Sequence, residues 1–151
     1  METNVITIKR FFAASIEKVY EAWTEPAKLV QWFAPNIRWR TPKVEFDLII
    51  GGKHDITLRH SDGDEMRILG RYVEILPNER ISFTWNFQGG DSPSQESLVT
   101  IEFRAVTGGT ELTLTHDRQN DPNEKAQAEQ GWGGMFELLE SFLAGTPLLK
   151  D

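Results

Sequence analysis

Residues 121–144 read DPNEKAQAEQGWGGMFELLESFLA, and the spacing of their large apolar side chains decides how the rest of the chain must be arranged. Trp132, Met135, Phe136, Leu139, Phe142 and Leu143 fall at i, i+3, i+4, i+7, i+10 and i+11. That is the single apolar stripe of an amphipathic helix, which needs a facing apolar surface to cover it. Asp121 is placed to cap this helix, Pro122 suits its first position, and Glu124 can complete a capping box. Gly145 and Pro147 stop it. Gly131, Gly133 and Gly134 flank Trp132, and each costs roughly 1 kcal/mol against alanine inside a helix. Three so close imply either that the helix approaches the sheet closely or that it bends to admit a ligand.

The facing surface is supplied by period-two alternation upstream. Leu112, Leu114 and His116 line one side of a strand that follows the Gly108-Gly109 hairpin. Val99, Ile101 and Phe103 alternate with Thr100, Glu102 and Arg104. Ile81, Phe83, Trp85 and Phe87 alternate with Ser82, Thr84 and Asn86, the clearest half-buried strand of the chain. A loop is expected over 88–95, and the Leu76-Pro77-Asn78-Glu79 turn joins this strand to another over 65–75. Before the turn Ser61-Asp62-Gly63-Asp64, His54, Ile56 and Leu58 share a face. Val44, Phe46, Leu48 and Ile50 form the face of a further strand, broken or bulged at Gly51-Gly52.

Residues 4–12 read as the first strand. Ser15 caps a helix buried through Ile16, Val19, Tyr20 and Trp23. Pro26 opens a second short helix that continues through Leu29, Val30, Trp32 and Phe33 and is ended by Pro35. The order β-α-α-β-β-β-β-β-β-α, with hairpin-length links, predicts an α+β fold: an antiparallel sheet curved around the last helix, with a cavity between them.

The totals agree with one globular domain over residues 1–151. A chain of 151 residues buries roughly 70% of its unfolded surface and needs no staple. Hydrophobic residues make up 39% and charged residues 26%, an ordinary globular balance. With no cysteine, disulfides, thiolate nucleophiles and cysteine metal sites are excluded. The opening METNVITIKRFF has neither a basic start nor a long apolar run, so no signal peptide is expected. No run approaches the ~20 apolar residues a membrane span requires, and a cytoplasmic protein with no membrane insertion is expected. The formal charge of -7 argues against nucleic acid as a partner.

Several stretches together resemble the START-like, or helix-grip (SRPBCC), superfamily, and within it the group related to activators of the heat-shock-protein ATPase. They are Phe12-Ala13-Ala14-Ser15 with Val19-Tyr20-Glu21-Ala22-Trp23-Thr24, then Leu29-Val30-Gln31-Trp32-Phe33-Ala34-Pro35, then Gly51-Gly52. The densest is Gly70-Arg71-Tyr72-Val73-Glu74-Ile75-Leu76-Pro77-Asn78-Glu79-Arg80-Ile81-Ser82-Phe83-Thr84-Trp85. Leu112-Thr113-Leu114-Thr115-His116 and Gln130-Gly131-Trp132 complete the set. The resemblance implies a seven-stranded antiparallel sheet wrapped around the C-terminal helix over a deep apolar cavity. Relatives of this kind hold lipids, polyketides, hormones or aromatic metabolites; a few are cyclases or dehydratases, and some activate a chaperone ATPase. One departure stands at Ile49-Ile50, where such proteins often carry a basic residue and a proline.

The first expectation is therefore a soluble module binding a small hydrophobic or aromatic ligand. Its cavity is walled by Trp32, Phe33, Trp85, Trp132, Met135 and Phe136, with His54, Tyr72 and His116 as polar contacts. The alternative is a cyclase- or dehydratase-type enzyme using His116 or His54 with Tyr72 or Glu74. Glu74 counts only if it points inward; a bulge would turn it to water. The third is a co-chaperone-like interaction protein acting in the stress response. No cofactor is expected, and a homodimer is allowed. His54, His60 and His116 have no metal-motif spacing, and Asp62, Asp64 and Glu65 lack the remaining ligands of a calcium loop, so no metal is expected either.

Overall fold

A computed structural model describes residues 5–88, 97–117 and 122–146. The elements are β1 (Val5–Phe12), α1 (Ile16–Thr24), α2 (Pro26–Leu29), β2 (Trp39–Phe46), β3 (Lys53–His60), β4 (Glu65–Leu76), β5 (Arg80–Gln88), β6 (Ser97–Val106), β7 (Gly109–Asp117) and α3 (Pro122–Leu143). The seven strands form one sheet in the order β1-β7-β6-β5-β4-β3-β2, every neighbouring pair antiparallel. The expected α+β helix-grip architecture is the one observed. Strands β2 to β7 are consecutive hairpins, whereas β1 leaves the chain's beginning to pair with β7. The α1–α2 segment therefore joins the two opposite edges of the sheet. Asp121, Pro147, the side chain of Phe87 and the loop expected over 88–95, apart from Gln88, lie outside the described residues.

Alternation places the core as expected on the inner faces of the strands. Ile56, Leu58, Ile68, Ile81, Phe83, Val99, Ile101, Phe103, Leu112 and Leu114 are buried with Trp132, Met135, Phe136, Leu138 and Leu139 of α3. Phe142 and Leu143 are half-buried against the same core. Ser15 caps α1, its hydroxyl accepting from the Lys18 N–H at 3.3 Å.

Three expectations are corrected. The second helix ends at Leu29 rather than at Pro35. Trp32, Phe33 and Ala34 are three consecutive buried residues, which successive 100° steps of a helix would spread beyond one face. The chain instead tightens, with Gln31 N–H to Lys28 O at 3.0 Å and Trp32 N–H to Leu29 O at 3.2 Å. The face drawn through Val44, Phe46, Leu48 and Ile50 stops at Phe46, where β2 ends. Ile50 is 70% exposed, because Gly51 at φ 84° turns the chain and Gly52 closes onto it, with its N–H on Ile49 O. A Cβ on Gly52 would lie 2.1 Å from Asp47 O. Finally, Tyr72 and Glu74 do not share a face. The β4–β5 register shifts between them, so Tyr72 is buried while Glu74 reaches Arg80 Nε at 3.3 Å in an ion pair open to solvent.

The glycine cluster of α3 divides. A Cβ on Gly134 would sit 1.9 Å from the Pro35 carbonyl oxygen, whereas Gly131 and Gly133 have nothing within 4 Å. Close packing thus accounts for Gly134, against the turn after α2 rather than against the sheet.

Candidate functional site

Four of the residues expected to line a site converge: Phe33, His54, Tyr72 and Trp85, joined by Trp23, Leu29, Ile56 and Phe83. They enclose a cavity of about 20 Å³, room for one water molecule. Trp85 is the only lining residue that is half-buried rather than buried, which places it at the mouth. Among the described residues neither lysine nor arginine lines this cavity.

The seat of His54 is built by an interruption in the sheet. Strands β4 and β5 pair from Arg67 to Leu69 and resume at Tyr72. At the gap, the Arg71 N–H donates to Thr84 Oγ1 at 2.9 Å, and the Thr84 carbonyl lies 2.8 Å from His54 Nε2. A carbonyl only accepts, so Nε2 carries the proton and Nδ1 is the bare lone pair. Gly70 makes room for this: a Cβ there would stand 1.9 Å from Thr84 O and 2.4 Å from His54 Nε2. Nδ1 is buried with no hydrogen-bond partner among the described residues, and so is Nε1 of Trp23. Burial lowers the His54 pKa from its ordinary value and raises that of the Tyr72 phenol, so both stay neutral near pH 7.

The other residues of the expected site form a second group, toward α3. Trp132 donates its indole N–H to His116 Nδ1 at 3.1 Å. His116 Nε2 lies 2.7 Å from Ser97 Oγ, and Ser97 Oγ donates to Trp85 O at 3.2 Å. With Nδ1 accepting, Nε2 carries the proton, and the chain of donors runs Trp132, His116, Ser97, Trp85 carbonyl. The rings of Trp132 and Trp85 stand 5.1 Å apart, so this group meets the small cavity at Trp85. Phe136 is fully buried beneath the Arg10 guanidinium, 5.6 Å from its ring centre. Met135 is buried in the same core. Trp32 is buried too, its indole donating to Ala22 O at 3.0 Å, and acts as a clasp between α1 and the turn after α2.

His116 is thereby fixed as a neutral imidazole. Burial lowers its pKa to about 4, far below the working range of a general base at neutral pH. The unfolded chain takes up that proton near pH 6.5, so between those values the unfolded state binds more protons and falling pH favours unfolding. Stability is expected to hold above pH 7 and to drop by about 2 kcal/mol from this residue between pH 7 and pH 5. Urea midpoints measured at the two values check it, and equal midpoints would contradict it.

Glu74 faces water and His116 already accepts a hydrogen bond, which leaves His54 Nδ1 and the Tyr72 phenol of the four polar groups an enzyme would use. Sequence reading missed Trp23, taken only as a core residue of the first helix, and Ser97. An indole N–H on a buried helix face was the available signal for Trp23, since that donor needs a partner. Among the described residues no three His, Cys, Asp or Glu side chains gather as metal ligands, and no helix is long and apolar enough to cross a membrane.

The model of the family described as "Activator of Hsp90 ATPase homolog 1-like protein" matches residues 13–144. No curated protein is similar enough to count as a match. Among solved structures, a protein of Rhizobium leguminosarum is 28% identical with a TM-score of 0.82, the alignment covering 95% of each chain. A protein of Chromobacterium violaceum is 26% identical with a TM-score of 0.80, over 93% of this chain and 96% of that one. An AHSA1-like protein of Aeromonas hydrophila is 24% identical with a TM-score of 0.80, over 93% and 92%, and speaks for the fold alone.

Proposed function

Because this chain belongs to the Activator of Hsp90 ATPase homolog 1-like protein family, whose fold grips a helix in a curved sheet, we propose that it binds a small uncharged hydrophobic or aromatic molecule in its interior. The observation that carries this reading is the convergence of Phe33, His54, Tyr72 and Trp85 on one apolar cavity. Three rings and an imidazole brought together there, with no charged side chain among the described lining residues, match the chemistry of an apolar ligand site. At about 20 Å³ the cavity is far below the roughly 300 Å³ of a ligand-sized one, so binding goes with a parting of the rings. Trp85, at the mouth, is the residue that moves.

Native mass spectrometry of the purified protein, followed by a thermal-shift screen of lipids, polyketides and aromatic metabolites, tests this. A ligand at a hundred times its dissociation constant stabilises by ~2.7 kcal/mol, a readily visible shift. A bound mass or a shift abolished by Trp85→Ala supports the reading. Neither bound mass nor shift for any compound speaks against it.

A co-chaperone-like role draws on a different surface. Ile49, Ile50 and Val73 are 57%, 70% and 51% exposed, and they flank the hydrogen bond from Gly51 N–H to Tyr72 O. Exposed apolar groups so placed suit a protein partner. Stimulation of a heat-shock-protein ATPase that is lost in Ile50→Asp supports this second reading, and no stimulation removes it.

A further inference from the structure

Among the described residues three buried side-chain polar atoms lack a hydrogen-bond partner, Trp23 Nε1, His54 Nδ1 and Asp55 Oδ1, and the first two belong to residues that line the same cavity. His54 is 4% exposed and Trp23 3% exposed, and both border the space of about 20 Å³. Trp23 Nε1 carries a hydrogen with no acceptor among the described residues, and His54 Nδ1 carries a lone pair with no donor. The rest of the lining is Leu29, Phe33, Ile56, Tyr72, Phe83 and Trp85. A buried donor or acceptor left unmade costs about 1–3 kcal/mol, so two beside one cavity call for a guest that satisfies both.

Resting on the binding reading above, we infer that this cavity is a hydroxyl subsite: it takes the O–H of an alcohol or phenol ligand, which donates to His54 Nδ1 and accepts from Trp23 Nε1–H. The chemistry selects among head groups. A hydroxyl is at once donor and acceptor, as the pair requires. A carboxylate only accepts; it would satisfy Trp23 but set its charge against the His54 lone pair, with no cation among the described lining residues. An ammonium only donates, and among the described residues no carboxylate lines the cavity to neutralise it. An ether or a methyl leaves His54 Nδ1 unmet. The volume agrees, since the cavity has room for one oxygen and its hydrogens while the ligand body displaces Trp85. A site built to hydrogen-bond a hydroxyl rejects the analogue without one strongly. Water has the same chemistry, so water alone is the rival occupant.

The test uses phenol, anisole, toluene and benzoate as probes on the full chain. Binding is followed by titration and by the indole N–H resonance of Trp23, identified through its loss in Trp23→Phe. Phenol is expected to bind at least about tenfold more tightly than toluene, anisole or benzoate and to move the Trp23 resonance. Trp23→Phe and His54→Phe remove the donor and the acceptor separately, and each is expected to cut the preference for phenol over toluene about tenfold. Should one variant fail to fold, the other still reads the preference. Toluene binding as tightly as phenol, with the Trp23 resonance unmoved, overturns the hydroxyl subsite and leaves the apolar binding site standing. A long-lived water at the Trp23 indole with no probe bound at millimolar concentration means water only. That result overturns the subsite, and a negative ligand screen beside it removes the binding reading as well.

Discussion

Trp132→Ala is expected to lower the free energy of unfolding by about 4 kcal/mol, the range found for deleting large buried rings. Trp132 is buried and meets four rings among the described residues: Trp85 at 5.1 Å, His116 at 6.1 Å, Trp23 at 6.3 Å and Phe136 at 6.4 Å between centres. Trp23 is anchored in α1 and Phe136 in α3, so the void collapses only in part and its residual cost adds to the lost transfer energy. The substitution also takes the indole donor from His116 Nδ1. Trp132→Phe separates the two effects, because it keeps most of the ring and loses only the donor, at an expected cost of about 1–2 kcal/mol. Urea denaturation of the three proteins at pH 7.5 gives both numbers. An alanine variant within 1 kcal/mol of the parent would show that the ring is not the keystone that these contacts describe.

Gly134→Ala is expected to destabilise by about 3 kcal/mol, and Gly131→Ala and Gly133→Ala to stabilise by about 0.5–1 kcal/mol each. All three glycines lie within one turn of α3, so intrinsic helix propensity predicts the same gain for each. Only the surroundings differ. The added methyl at 134 would meet the Pro35 carbonyl oxygen at 1.9 Å, and that oxygen belongs to backbone fixed by the buried run Trp32, Phe33 and Ala34. Relief requires α3 to withdraw, which loosens Met135 and Phe136 together. At 131 and 133 the methyl enters open space and the helix gains rigidity. Melting temperatures of the three variants, measured in parallel, decide it. A common sign for all three would mean that propensity, not the approach to Pro35, governs this turn.

Much of this was legible in the order of residues. Period-two alternation gave the strands of the sheet other than the one over 65–75, which the turns on either side marked out, and it put His54 and His116 on inner faces because each follows the parity of leucine and isoleucine neighbours. What alternation hides is any place where parity slips. Glu74 keeps the parity of Tyr72 along the chain, yet the shift in β4–β5 pairing turns it to Arg80, and no side-chain pattern announces such a shift. Ile50 keeps the parity of Val44 and Phe46, but the turn at Gly51 carries it into solvent. The small cavity was half legible: Phe33, His54, Tyr72 and Trp85 were expected in it. Trp23 was not, since a tryptophan on the buried face of a helix reads the same whether its N–H is paired or orphaned. Pairing is a property of three-dimensional approach, as in the gap that hands the Thr84 carbonyl to His54 and leaves Nδ1 bare.

The sheet order has a kinetic consequence. From β3 to β7 each strand pairs with its predecessor, so those ladders close through local contacts. The β1–β7 ladder brings Phe12 to Thr110 and Val5 to Asp117, across a loop of roughly 100 residues that costs about 2 kcal/mol more chain entropy than a ten-residue one. The meander can assemble before that closure becomes favourable, and α3 needs the assembled meander to bury its stripe. Contact order, concentrated in a single pairing, therefore makes the docking of the first strand the slow and late event of folding. The same pairing leaves that strand as an edge whose release opens the fold from one side without unzipping the rest.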